Sequence, residues 1–360
     1  MKIAFLNFYS GFVARGGETF VQELATKLAI DNDVMVFQAG PKSSNEYKAT
    51  VVGHFSGTGW LSELPPIHIL RRLFLDRYKL RELIFTFLLI PDLWRLKPDV
   101  VIPLNSGWQA LICSLYCRIY GARLVITGQS GPGWDDRWNL LMKPHLFVAL
   151  TSHQLAWAKS ATIWKQAFAL IPNGVDLQRF SSSGSRAKLD INKPIILMVA
   201  ASTPNKRVEQ GIRAVAKLKS ASMLLLGQGP LDERINNLGY KLLGPGRFRH
   251  LSVSHNKIAP YYRAASLLTL CSISSEAFGI VYLEAMACGL GCVATDDASR
   301  REIVGDAGLF VKDPDDESEY SQALSAAIKI NWREKSLKQA SNFSWDKIAS
   351  QYTKALHEQI

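Results

Sequence analysis

Two glutamates eight positions apart, Glu276 and Glu284, lie in the run SEAFGIVYLEAMACG (275–289). Ser275 and Glu276 precede a glycine-containing helix start, and the run then turns apolar, which predicts a loop feeding a helix. The amides of Phe278, Gly279, Ile280 and Val281 would be the first-turn donors that lack a helical carbonyl. Such amides, aligned with the helix dipole, form a cradle for a diphosphate. Glu284 comes a little over two turns after Glu276 and can face the same side from deeper in the helix. A carboxylate there suits a ribose diol, and Glu276 at the mouth suits sugar hydroxyls. An isolated glutamate pair would read as a helix cap and a surface ion pair. Here Ala285, Ala287 and Gly289 make the helix small and apolar, and a buried glutamate needs a partner that a ligand can supply.

Three further segments carry chemistry. TPNKRVEQG (203–211) follows a strand and sets Lys206 and Arg207 where they could neutralise a leaving diphosphate; the alternative is a solvated basic loop. LLLGQGP (224–230) also follows a strand, and Gly227 and Gly229 would let backbone approach a phosphate or sugar. ARGGETF (14–20) opens a helix with Gly16 and Gly17, which would face an acceptor or phosphates, or form an ordinary strand-to-helix turn. The pattern is not G-x-G-x-x-G, so it does not support NAD. No metal motif is convincing: DDAS (296–299) and DPDD (313–316) read as turns. The pairs Cys113/Cys117 and Cys288/Cys292 have no histidine at ligand spacing. With Cys271 the cysteines number five, an odd count with apolar neighbours, which points to reduced, buried thiols in the cytoplasm.

These segments need a scaffold, and the rest of the chain supplies one. Strand-like runs at 2–8, 33–39, 99–105, 123–128, 145–151 and 167–174 alternate with helical stretches, and a second alternation begins at 195. This is the pattern of a parallel sheet with crossover helices, twice over. At 360 residues the chain holds two or three domains. The polar, Ser-rich segment 173–194 reads as the linker, and 344–360 as a closing helix. The expectation is an α/β protein of two doubly wound units, 1–172 and 173–343. The helix at 344–360 would pack back on the first, and a ligand cleft would lie between the two units.

Composition is globular, and Lys plus Arg exceed Asp plus Glu by 42 − 31 = 11. That surplus favours anionic partners, and no nucleic-acid motif accompanies it. The apolar run LIFTFLLIP (83–91) has nine residues, too few to span a bilayer; the start of the chain does not read as a signal peptide. Residues 67–97 combine seven basic with three acidic residues. Arg71, Arg72, Arg77, Lys79 and Arg81 interleave there with Leu70, Leu73, Phe74, Leu75, Tyr78, Leu80, Leu83 and Ile84. Such a stretch suits an anionic membrane surface, or else a core helix pair with a solvated basic rim.

In their order and spacing, the lysine loop, the glycine loop and the glutamate motif resemble the donor domain of glycosyltransferase family 4, which has the GT-B fold. The likeness extends to PNGVDLQRF (172–180), VSHNKIAPYYRAASLLTLCS (253–272), ATDDASRREIVGDAGLFVKDPDD (294–316) and FSWDKIASQY (343–352). In the first half it covers GGETFVQELATKLA (16–29). It runs nearly end to end and is weak between about 40 and 98.

The resemblance implies retaining transfer of a sugar from a nucleotide-diphosphate donor, UDP- or GDP-linked, to a glycan or lipid-linked acceptor, with no metal or other cofactor. Glu276 would contact the donor sugar and Glu284 the ribose. The amides of Phe278, Gly279, Ile280 and Val281 would hold the diphosphate, with Lys206 on the phosphates. Gln129 stands where many members have histidine near the reacting centre; it keeps hydrogen bonding and loses the cationic form, which implies lower activity or an unusual sugar. Ala201 stands where many have arginine, a charge that Arg207 would replace, and Gly291 where proline is common. Two other readings fit the same donor contacts: a GT-B nucleotide-sugar epimerase and a non-catalytic nucleotide-sugar-binding subunit. The expected location is cytoplasmic, peripheral on the inner membrane face.

Overall fold

Nearly unbroken runs of Val, Ile, Leu and Phe become parallel strands covered on both faces, as such runs should. The computed structural model describes residues 1–13, 16–42, 46–55, 72–273 and 276–358. The chain divides into two units, Met1–Asn173 with Trp345–Ile360, and Gly174–Ser344.

Unit 1 contains β1 (Lys2–Asn7), α1 (Gly16–Leu28), β2 (Asp33–Gln38), β3 (Lys48–Val51), α2 (Arg77–Leu96) and β4 (Val100–Pro103). It continues with α3 (Trp108–Tyr120), β5 (Arg123–Thr127), α4 (Trp134–Leu141), β6 (Leu146–Ala149), α5 (Ser152–Ala161) and β7 (Ala167–Leu170). The strands form one parallel sheet in the order β3-β2-β1-β4-β5-β6-β7. Unit 2 contains β8 (Ile195–Val199), α6 (Val208–Ala216), β9 (Ser222–Leu226), α7 (Asp232–Leu243), β10 (Phe248–Leu251), α8 (Ala259–Ala264) and β11 (Leu267–Leu270). Then come α9 (Ile280–Ala287), β12 (Gly291–Thr295), α10 (Ala298–Val304), β13 (Gly308–Val311), α11 (Glu317–Ile328) and α12 (Arg333–Ala340). Its sheet has the order β10-β9-β8-β11-β12-β13. Each order reverses once, between β1 and β4 and between β8 and β11, and ligands of such sheets bind beyond the strand ends at that reversal.

The last helix, α13 (Trp345–Glu358), belongs to unit 1. Its apolar stripe of Trp345, Ile348, Tyr352 and Leu356 is buried with Phe20, Val21 and Leu24 of α1. Lys27 and Asp346 pair beside it at 2.7 Å.

Several expectations change. Residues 174–194 are strapped onto unit 2 rather than free: the Ala187 amide donates to Pro260 O at 2.9 Å, Asn192 to Gly246 O at 3.0 Å, and Arg263 Nε to Ser185 O at 2.7 Å. A polar segment can be ordered when its amides and carbonyls find such partners. The strands β3 and β10, not anticipated from sequence, are edge strands with Lys48, Arg249 and His250 among their residues; edges favour short polar strands.

The basic amphipathic stretch is also rearranged. Leu70 and Arg71 lie outside the described residues, as does Ser275 of the glutamate motif. Of the basic residues expected at a surface, Lys79 instead pairs with the buried Glu82, and Arg81 lies over the Phe8 and Phe55 rings at 5.6 and 5.9 Å. Phe74 turns inward against Trp138, centroids 5.2 Å apart. The outward side of α2 is apolar: Leu80, Ile84, Phe87, Leu88 and Trp94 are each 45–60% exposed. Sequence periodicity marks two faces but does not say which is buried, and here a polar cluster draws the charged face inward. No helix of the described residues is long and apolar enough to cross a membrane.

All five cysteines are buried and free, and burial pushes the Cys117, Cys271 and Cys288 thiols up to about 12.

Candidate functional site

In unit 2 the loops after β8 and β11 flank the sheet's reversal. After β8, Pro204 starts a one-turn 3-10 helix, Pro204–Lys206, a position that tolerates proline because its missing N–H would have no partner there. After β11, the chain returns to this turn: the Ile273 amide donates to Asn205 O at 3.0 Å, and the Glu276 amide to Ile273 O at 3.1 Å. These bonds bring Lys206 Nζ onto the Glu276 carboxylate in a partly buried ion pair. Arg300, wholly buried on α10, fixes the same loop from below. It donates to Ser272 Oγ and Ile273 O, both at 3.0 Å, and to Asp297 Oδ2 at 2.9 Å.

Beyond Glu276 the backbone turns through Gly279 at φ +87° into α9. Phe278 is buried, 6.3 Å from the Phe343 ring. The first amide of the turn with a carbonyl partner among the described residues is that of Tyr282, onto Gly279 O. The amides of Phe278, Gly279, Ile280 and Val281 precede it, as the cradle requires.

Glu284 is buried, and each of its oxygens meets a side chain of unit 2. His255 Nε2 lies 2.6 Å from Oε1, and the Tyr262 hydroxyl donates to Oε2 at 2.5 Å. Burial and the adjacent Glu284 charge hold the Tyr262 phenol well above its usual range, so it stays a donor. Glu276 and Glu284 therefore sit in separate polar sets rather than sharing one.

Arg207 does not join Lys206. It takes a left-handed conformation at φ +50°, and its guanidinium pairs with Asp315 at 3.3 Å. Gly227, at φ +149°, would place a Cβ 1.9 Å from Ala200 O, and Gly229 one 2.7 Å from Ser202 O. The Gly227 amide donates to Leu251 O. These glycines let the loops after β8 and β9 close on each other. Ser202 Oγ in that closure is buried with no hydrogen-bond partner among the described residues.

In unit 1, Gln129 follows β5 and forms a reciprocal amide pair with the buried Asn173: Nε2 donates to Asn173 Oδ1 at 2.9 Å, and Asn173 Nδ2 to Gln129 Oε1 at 3.1 Å. The loop behind it is held by Asp136, which is fully buried and accepts from Gln154 Nε2 at 2.9 Å and Asn139 Nδ2 at 3.1 Å. Gln154 Nε2 also donates to Gly128 O at 2.6 Å. Burial pushes the Asp136 carboxyl up to about 8, against the hydrogen bonds it accepts. Gly16 and Gly17 begin α1, and among the described residues a Cβ on Gly17 would meet nothing within 4 Å.

Sequence reasoning missed a second lysine–glutamate pair, at the reversal of unit 1. Glu82 is buried on α2, accepting from Tyr9 OH and Lys79 Nζ, each at 2.9 Å. Lys79 Nζ also reaches Ser106 Oγ at 3.5 Å. Burial raises the Glu82 carboxyl while Lys79 and Tyr9 pull it down. Tyr9 follows β1 and Ser106 follows β4, so the cluster lies at the ligand end of that sheet. The K-x-x-E spacing was the available signal, masked by the surrounding basic residues. Among the described residues, no group of three or more His, Cys, Asp or Glu side chains is arranged to hold a metal ion.

Two doubly wound parallel sheets of this kind define the GT-B architecture. Residues 183–343 match the model of the family described as Glycosyl transferases group 1. Among solved structures, sucrose-phosphate synthase from Thermosynechococcus elongatus superposes with a TM-score of 0.80 at 19% identity, over 99% of this chain and 98% of that one. The Anabaena protein HepE in complex with UDP-glucose gives 0.77 at 17%, over 99% and 100%. These likenesses show the fold. O-antigen chain mannosyltransferase B of Escherichia coli is 36% identical over 111 residues, 29% of this chain. The chain spans only 29% of that relative's length.

Proposed function

We propose that the protein is a retaining glycosyltransferase that moves a sugar from a UDP- or GDP-linked donor to a glycan or lipid-linked acceptor, without a bound metal or other cofactor. The observation that carries this reading is the Lys206–Glu276 pair at the β8/β11 reversal, within the segment that matches the glycosyltransferase family. The ammonium and the amides before Tyr282 supply positive charge where a diphosphate would depart. Glu276 would take sugar hydroxyls and Glu284 the ribose. In a front-face reaction the departing phosphate oxygen takes the proton of the acceptor hydroxyl as the new bond forms on the same face. The protein's part is then to position the reactants and stabilise the leaving group. Gln129 would contact the sugar as a neutral donor and acceptor.

A panel of UDP-, GDP- and ADP-sugars, assayed for binding and slow hydrolysis, tests the reading. One base should bind with slow release of sugar, and Glu284→Ala should weaken binding of the matching nucleoside diphosphate by roughly 1.5–3 kcal/mol. Binding without any hydrolysis or transfer would favour a non-catalytic subunit, and unchanged affinity in Glu284→Ala would remove the ribose role.

The same proposal includes peripheral attachment to the cytoplasmic leaflet through α2. Its exposed apolar side, with Arg72 and Arg77 exposed at the N-terminal end, supports insertion at a headgroup boundary. Co-sedimentation with anionic liposomes at low salt should exceed that with neutral ones and fall as salt rises. Equal partitioning to both, or none to either, would leave α2 with a role in the fold alone.

A further inference from the structure

Two side chains of unit 2 cover the Glu284 carboxylate, one on each oxygen. Its side chain is 4% exposed, while that of His255, lying on it, is 22% exposed. The two groups that hold its oxygens differ in freedom. Tyr262 is wholly buried on α8, 5.7 Å from the Phe180 ring, and has no room to turn away. His255 belongs to a single 3-10 turn, His255–Lys257, between β10 and α8, and one edge of its ring meets solvent.

Arg179 Nη1 lies 3.3 Å from His255 Nδ1. A guanidinium only donates, so a neutral ring that accepts from it at Nδ1 carries its proton on Nε2, directed at Glu284 Oε1. Arg179 is itself held by Asp176 at 3.1 Å. The imidazole thus presents to Oε1 the same kind of donor that a ribose hydroxyl would present, from the solvent side.

We infer that His255 is a positioning residue that covers Glu284 Oε1 and yields it to a ribose hydroxyl when a nucleotide binds, while Tyr262 keeps Oε2 fixed throughout. The inference rests on the proposed ribose role of Glu284. Displacing the His255 hydrogen bond offsets part of what Oε1 gains from the hydroxyl, so loss of the cap should strengthen binding. The gain should require the hydroxyl that replaces it.

The test measures dissociation constants of UDP, GDP and their 2′-deoxy counterparts by calorimetry for the unaltered protein, His255→Ala and His255→Gln. For whichever ribonucleotide binds, His255→Ala should bind about three- to tenfold more tightly, the span of one net hydrogen bond. The 2′-deoxy form should change by less than about twofold, since it lacks the replacing hydroxyl. His255→Gln, whose amide can restore the donor to Oε1, should return towards the unaltered protein. A preserved preference for ribose with unchanged or weaker binding in His255→Ala overturns the cap. Equal binding of ribose and 2′-deoxy forms by His255→Ala, where no cap competes for Oε1, overturns the ribose role of Glu284, and the cap with it.

Discussion

Lys206→Ala is expected to lower turnover of the matched nucleotide sugar by about 10²–10³-fold, the effect of removing one preorganised group from developing charge. The loss should fall on turnover more than on folding. Lys206 sits in a loop turn, and its ion pair is intermediate between exposed and buried. Breaking it should cost about 1–3 kcal/mol of stability, between the surface and interior cases. Arg207 should not compensate, because its guanidinium is drawn to Asp315. Steady-state rates at a temperature where the variant is folded by circular dichroism decide the matter. Full turnover would move phosphate stabilisation to Arg207 or to the backbone amides alone.

Asp136→Asn should change the pH dependence of stability. The carboxyl is raised from an ordinary 3.8 to about 8 by burial, with the neighbouring Asp135 charge acting in the same direction. Between these values the folded protein keeps a proton that the unfolded chain has released. Stability from this group is therefore complete below about pH 4 and is lost as pH rises towards 8, by on the order of 1.4 kcal/mol per unit. Asparagine retains the neutral shape and cannot ionise. The two proteins should unfold at similar urea concentrations near pH 5, and the variant should be the more stable by several kcal/mol near pH 9. Parallel profiles would mean that water reaches the carboxylate and the charge is tolerated. Because Asp136 and Gln154 hold the loop that carries Gln129, loosening in unaltered protein at high pH should appear there first.

The strands of both sheets could be read because parallel strands covered on both faces stay apolar along their length, as in IILMVAA (195–201) and ASMLLLG (221–227). Lys206, Glu276 and the turn into α9 could be read because each lies next to a strand end or a helix start. What escaped depends on contacts far apart in the chain. Tyr9 and Glu82 are 73 residues apart, and Gln129 and Asn173 are 44 apart, so no local spacing links them. Glu82 and Asp136 each stand beside another charged residue in the sequence, Arg81 and Asp135. Only tertiary burial distinguishes them. His255 was legible as part of a helical stretch, but nothing in its surroundings announced Glu284, 29 positions on.

Returning α13 to unit 1 sets an order of events during synthesis. Trp345, Ile348, Tyr352 and Leu356 fill a core whose other members, from Ile3 to Ile171, leave the ribosome far earlier. Until the last helix emerges, Phe20, Val21 and Leu24 have an uncovered side, even though every strand of that sheet has been made. Unit 2 has all its strands and helices within Gly174–Ser344 and faces no such delay. The half synthesised first is thus the half completed last, and a nascent chain halted anywhere in unit 2 presents a sticky apolar strip to chaperones.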